Sequence, residues 1–307
     1  MPGRIVPGAA PPISLRPAPE RARLRQRLER LYATFDATWL STDPLEFVHR
    51  YSRPEDQEIA AFFAASFAFG NVRAIRASLD RLQTVLGPDP AERVDRFDRK
   101  DRATLEGLYH RWIGPREIAA ALGALRAMRT HAGSIGGFFG ACVDTADRDI
   151  GPALDRFGQR ARSLAGREAD AVRSFFPMPS HGSACKRLAL LLRWMVRGGD
   201  GLDLGLWPGV PRRQLVLPLD THLARLVRVL GLTERRTPGW ATAVEATRSL
   251  AVFDPEDPVK YDFSLSRLGI LDLCLHGRPA GECPGCPVPR VRALGRPAPA
   301  RRAGAAA

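Results

Sequence analysis

Two short stretches of this sequence hold residue types whose spacing could do chemistry. The first, HGSACKRLALLLRWMVR, carries Lys186 at the start of an apolar run, with Arg193 and Arg197 further along it. At the helical repeat the three cations fall within about 20° of one another on the wheel. Such a stripe on an apolar helix is costly to bury unless its charges are paired or face a wet cleft. A cleft holding an anion would resolve the cost, and the two arginines would favour a neutral, nucleophilic amine at Lys186. The competing reading is a lysine that snorkels from a helix start and is satisfied by carboxylates such as Asp200 or Asp203. Composition adds a hint. Of 46 Lys and Arg residues only Lys100, Lys186 and Lys260 are lysines. Where a plain positive charge suffices the chain writes Arg, so a retained Lys marks a place for a deprotonatable amine or a chance survival.

The second stretch is VLPLDTHLARLVRVLG. Asp220 stands where an N-cap belongs, and capping alone accounts for an Asp there. The apolar, extended residues before it would bring the carboxylate out of a buried segment onto a helix start. With His222 in the first turn, that start makes a seat for phosphate. A metal-dependent hydrolase built on Asp220 and His222 is a weaker alternative, since one D-T-H unit lacks further clustered ligands.

The elements that must position these groups read as helices. Asp56 to Phe69 forms a buried helix ended at Gly70. Val72 to Leu86 is amphipathic and stops at Gly87-Pro88. Arg116 to Arg129, one or two helices in 148–176, Lys186 to Val196, a helix from Asp220 to Gly231, and Thr242 to Leu250 follow. Asp257-Pro258 predicts an N-cap and first position for a last helix through Leu271, with Lys260 in its first turn. No convincing sheet or internal repeat is visible, so the expected fold class is all-α.

Residues 1–20, rich in Pro and Gly, read as a disordered leader without the apolar core of a secretory signal. Residues 21–286 form the expected helical domain, and 287–307 a disordered basic tail. No run of 18 apolar residues exists to span a membrane. The expected setting is cytoplasmic, the expected state a monomer. A net charge of +13 and a pI near 10.6 point to a polyanionic partner, double-stranded DNA above all, although five arginines of the tail supply part of the excess. Trp194 and Trp207 would offer stacking faces for a base, or serve as buried structural tryptophans. Five cysteines in such a setting argue against a disulfide framework.

The segment Pro218-Leu219-Asp220-Thr221-His222-Leu223 resembles the P-x-D-T-H-V/L segment of the helix-hairpin-helix DNA glycosylase superfamily. The chain is most similar to an uncharacterised bacterial family related to the archaeal 8-oxoguanine DNA glycosylase/lyase. EIAAFFAASFAFGNV, KRLALLLRWMVR, DLGLW, LPLDTHLARL and DPVKYDFSLSRLGI carry that similarity, over roughly Leu45 to Cys286. The resemblance implies a two-lobed helical fold and base-excision repair of damaged DNA by an N-glycosylase with AP-lyase activity. Lys186 would be the nucleophile and Asp220 the catalytic carboxylate, and His222 a phosphate contact. Arg193, Arg197, Asn71 and Lys260 would face DNA, while Phe69 with the two tryptophans would line a base pocket. Asn71 would contact DNA or fill the gap left by a flipped base, and an ordinary Gly-Asn helix break is the plainer reading.

Departures from the pattern are present. The turn before Lys186 reads His181-Gly182-Ser183-Ala184-Cys185 instead of G-x-G. The Lys-to-Asp separation, 220 minus 186, is 34 residues, longer than in the endonuclease III type. Cys274-x8-Cys283-x2-Cys286 resembles the four-cysteine iron–sulfur loop of endonuclease III-like proteins, but no cysteine follows Cys286. A degenerate loop with no cofactor is expected, with Cys274, Cys283, Cys286 and His276 as an alternative metal set. A non-catalytic DNA- or RNA-binding protein of the same fold is the competing function.

Overall fold

The structure is a computed structural model and describes residue 13 and residues 16–98 and 100–270. Among these residues the chain is all-α. It has no strand, only isolated antiparallel bridges at His110–Ile113 and Gly198–Leu204. The α-helices are α1 (Ala18–Thr34), α2 (Leu45–Val48), α3 (Pro54–Ser66), α4 (Val72–Leu86), α5 (Pro90–Arg96), α6 (Pro115–Ala132), α7 (Ile135–Gly140), α8 (Gly151–Ala165), α9 (Lys186–Val196), α10 (Thr221–Val229), α11 (Trp240–Ala251) and α12 (Asp262–Ile270).

Two helices are apolar nearly all round, and they lie at the centre for that reason. In α3 every residue from Glu58 to Ser66 is buried, and in α9 every residue from Leu188 to Val196. They pack on each other, and one apolar core cluster runs through them and most of the other helices. Stops follow the glycine signals. Gly87 after α4 and Gly231 after α10 take positive φ values of 70° and 67°, where a side chain would be strained.

The way α3 meets α9 sets up the site. The last carbonyls of a helix lack intrahelical donors. At the end of α3 they are met by the first side chains of α9. Arg187 Nη1 donates to Ser66 O at 3.2 Å and Lys186 Nζ to Ala68 O at 3.0 Å. Cations at a helix C-terminus also suit its dipole.

Two expectations change. Ile13 and Arg16, inside the expected leader, are buried; Ile13 N donates to Gly231 O at 3.2 Å and Arg16 Nη2 to Leu230 O at 2.6 Å. Asp257 does not cap the last helix. Its carboxylate is held by Arg197, the chain makes turns through Lys260, and α12 starts at Asp262. The carboxylate serves instead as a counter-ion of buried Arg197, whose charge would be costly to leave unpaired.

Candidate functional site

Lys186 and Asp220, 34 residues apart in sequence, meet at the starts of α9 and α10. Lys186 Nζ lies 3.5 Å from Asp220 Oδ2, and their side chains are 29% and 35% exposed. Each is anchored by a second bond. The lysine amine donates to Ala68 O, and Asp220 Oδ1 accepts from Leu223 N at 2.8 Å as the N-cap of α10. One carboxylate oxygen therefore fixes the helix and the other faces the amine. The residue before Lys186 is Cys185, in a left-handed conformation at φ 48°. Burial pushes its thiol up to about 12, so it holds its proton and is no rival nucleophile at neutral pH.

Arg193 and Arg197 do not reach this place, which corrects the expectation of a cationic stripe facing DNA. Arg193, 1% exposed, is held by Asp203 at 2.9 Å and Asp262 at 2.5 Å. Arg197, also buried, is held by Asp203, by Asp257 at 2.9 Å and by Asp200 at 3.1 Å. Two buried cations thus face four carboxylates. Burial raises both Asp203 and Asp262 against the pull of the arginines, while both guanidiniums stay firmly charged because the attraction of those carboxylates exceeds their own desolvation. The chain answers the cost of a buried stripe with internal counter-ions and not with an external anion.

Lys260 is likewise engaged internally, by Asp254 at 2.8 Å and Glu29 at 3.1 Å, and it also lies against the Tyr261 ring. Trp194 is fully buried, and Trp207 is buried with Nε1 donating to Glu58 at 2.7 Å. Neither ring can receive a base, which removes both from the expected pocket. Phe69, Asn71 and His222 remain at the surface or partly so. Asn71 caps α4, its Oδ1 accepting from Ala74 N at 2.8 Å. Cys274, Cys283, Cys286 and His276 lie outside the described residues. Among the described residues no cluster of three or more His, Cys, Asp or Glu could hold a metal.

Beside the lysine stands a feature absent from the sequence expectations. Phe69, next to the carbonyl that accepts from Lys186, stacks on Trp112 with centroids 4.4 Å apart. Trp112 is 63% exposed and Tyr109 56%. Both come from a tight turn closed by the paired backbones of His110 and Ile113, with Arg111 left-handed at φ 56°. His110 bolts the turn in place. It stacks on Phe67 at 4.9 Å, one ring nitrogen bonds Phe69 O at 3.0 Å and the other Ser78 Oγ at 3.1 Å. Burial lowers its pKa and keeps it neutral. The signal in sequence was LYHRWIGP, two aromatics flanking His-Arg just before a helix start, a turn too short to show periodicity.

The chain belongs to the family described as a protein of unknown function (DUF2400), whose model matches residues 43–271. Comparison with curated proteins and with solved structures gives no match.

Proposed function

We propose that this protein is a DNA-processing enzyme of the helix-hairpin-helix glycosylase type, with Lys186 as nucleophile and Asp220 as its carboxylate. The observation that carries this reading is the pairing of an amine and a carboxylate at 3.5 Å, both partly open to solvent, at the starts of two helices. The internal contacts support a two-lobed arrangement. In it α1 and α10–α12 pack together on one side, α2, α3 and α5–α8 on the other, and α9 runs against α3.

In the proposed reaction a damaged nucleoside is turned out of the helix so that C1′ reaches the amine. Lys186 gives up a proton, for which Asp220 is the nearest carboxylate, and its lone pair attacks C1′. The glycosidic C–N bond breaks, and its electron pair leaves with the base, which takes up a proton. The C1′–O4′ bond then breaks as the nitrogen lone pair forms the Schiff base on Lys186, and O4′ takes up a proton. Loss of a C2′ proton then expels the 3′ phosphate by breaking the C3′–O bond. Free N–H groups at the start of α10, with exposed His222, would hold a flanking phosphate.

The second reading is a non-catalytic DNA- or RNA-binding protein. It draws on the same pair, because Lys186 already has Ala68 O and Asp220 as partners, which suffice for a structural role. Borohydride trapping on duplexes carrying an abasic site or an oxidised base separates the two. Wild type is expected to form a covalent adduct. Lys186→Arg and Lys186→Gln form none, and Lys186→Arg retains most of its DNA affinity. Salt-sensitive binding with no adduct on any lesion would favour the second reading. Absence of all nucleic-acid binding would end both.

A further inference from the structure

We propose that Trp112, stacked on Phe69, is the seat for an unpaired nucleobase of the DNA whose sugar reaches Lys186. This rests on the DNA-processing reading above and specifies its substrate: DNA with a base free to leave the stack. Trp112 presents a large open aromatic face, 63% exposed, on a turn whose backbone is held by His110. Phe69 stacks on it at 4.4 Å, and the Arg187 guanidinium lies 5.2 Å from the Phe69 centroid. The occupant that would extend such a stack is a flat aromatic group, and base–aromatic stacking serves every base alike.

Charge identifies the occupant further. Arg187 is partly buried and makes hydrogen bonds only to the carbonyls of Ser66 and Ser174, with no carboxylate among the described residues. Burial lowers its pKa, offset only in part by the neighbouring Cys185. Arg111, whose guanidinium lies over the indole at 5.8 Å from the ring centroid and would have to swing aside for a base, and Arg73 after Asn71 are exposed and make no ion pair among the described residues. A flat ring joined to negative charge fits both features, and a nucleotide strand has both. Backbone strain marks the same wall. Among the described residues Arg111 and Cys185 are the non-glycine residues with left-handed φ, one in the aromatic turn and the other just before Lys186. Such conformations cost roughly 1–3 kcal/mol and persist where the surroundings enforce them, often at binding sites.

The position makes a stacking seat useful. Ala68 O accepts from the Lys186 amine, and Phe69, the next residue, carries Trp112 on its ring, so the proposed seat is joined to the amine through one residue of backbone and one stacked pair. Unstacking a base from the duplex costs a few kcal/mol, and a ready aromatic surface returns part of it.

The test measures binding of two oligonucleotide duplexes, identical except for one bulged adenine, to wild type, Trp112→Ala and Trp112→Phe. Thermal unfolding confirms that each variant is folded. Trp112→Ala should weaken binding of the bulged duplex about 5- to 150-fold and that of the paired duplex by less than about twofold. Trp112→Phe should keep most of the affinity. The bulged duplex should also quench wild-type tryptophan fluorescence, a signal lost in Trp112→Ala. Equal losses on both duplexes, or none on either, overturn the seat even where borohydride trapping at Lys186 succeeds. If wild type binds neither duplex, the seat falls together with the DNA reading.

Discussion

At its N-terminal end α9 holds Lys186 beside one partly exposed carboxylate; at its C-terminal end the buried Arg193 and Arg197 meet four carboxylates, of which Asp203 and Asp262 are buried and Asp200 and Asp257 partly so. All three cations lie on one helical stripe, and their surroundings divide them. The buried end is saturated with internal counter-ions and holds α9, the 200–203 loop and the start of α12 together. The open end has a single carboxylate, a strained residue before it and an exposed aromatic turn beside it. A helix can thus fix a fold with one end and present reactive groups with the other, and the division follows from the depth of each turn.

Breaking the buried end should have the largest effect on stability. Arg193→Met leaves Asp203 and Asp262 short of a partner, and is expected to cost about 3–5 kcal/mol in urea unfolding. The same change at the open end, Lys186→Met, is expected to cost at most about 1 kcal/mol, because exposed pairs contribute little. Equal losses would dissolve the distinction.

Asp220 tests whether the open end separates its two tasks. Asp220→Asn keeps the cap on Leu223 N and loses the charge, while Asp220→Ala loses both. Unfolding should show Asp220→Ala the less stable by about 1 kcal/mol, and both should release base more slowly in a glycosylase assay. Equal stability would mean that the cap is idle.

Strain sharpens the comparison on a smaller scale. Arg111→Gly fits φ 56° without a Cβ, and should be neutral or stabilising by up to about 1 kcal/mol. A clear loss of stability would show that Arg111 is held by more than backbone enforcement.

The aromatic turn should respond to pH. His110 is held neutral in the fold, with its pKa below the ordinary value. The unfolded chain takes up the proton first, near pH 6.5. Stability is therefore fully present above that pH and falls as pH drops towards the folded value. In His110→Gln the fall between pH 7 and pH 5 should be shallower, measured by thermal unfolding.

Much of the helical framework was legible in the sequence. The bounds of α4 and α9 follow from periodicity and glycine stops, and the N-cap at Asp220 from its place before an apolar repeat. Lys186 and Asp220 were legible as residues with chemical potential because lysine is rare in this chain and an acid precedes a His at a helix start. The role of Arg193 and Arg197 was not. A helical wheel reports which residues share a face, and it is silent on whether that face meets solvent or other charges. The four acids that neutralise them come from residues 200–203 and from 257 and 262, up to 69 positions away. The tryptophans misled for a similar reason: an indole's composition does not tell whether Glu58 will take its N–H in the core or Phe69 will prop it in water.

By itself, then, the sequence determined the local matters: which segments are helices, where they stop, and that a lone lysine and a capping aspartate open two of them. These depend on near neighbours along the chain, through backbone hydrogen bonds, caps and glycine φ angles. The tertiary structure alone decided that the side chains of those two helix starts meet at 3.5 Å, that two arginines of the same stripe are sealed among carboxylates, and that Trp112 stands open against Phe69, the residue after the carbonyl that holds the amine. Burial and pairing of charge depend on groups brought together from distant positions, and desolvation acts on the depth that packing gives each side chain, a quantity no local pattern encodes.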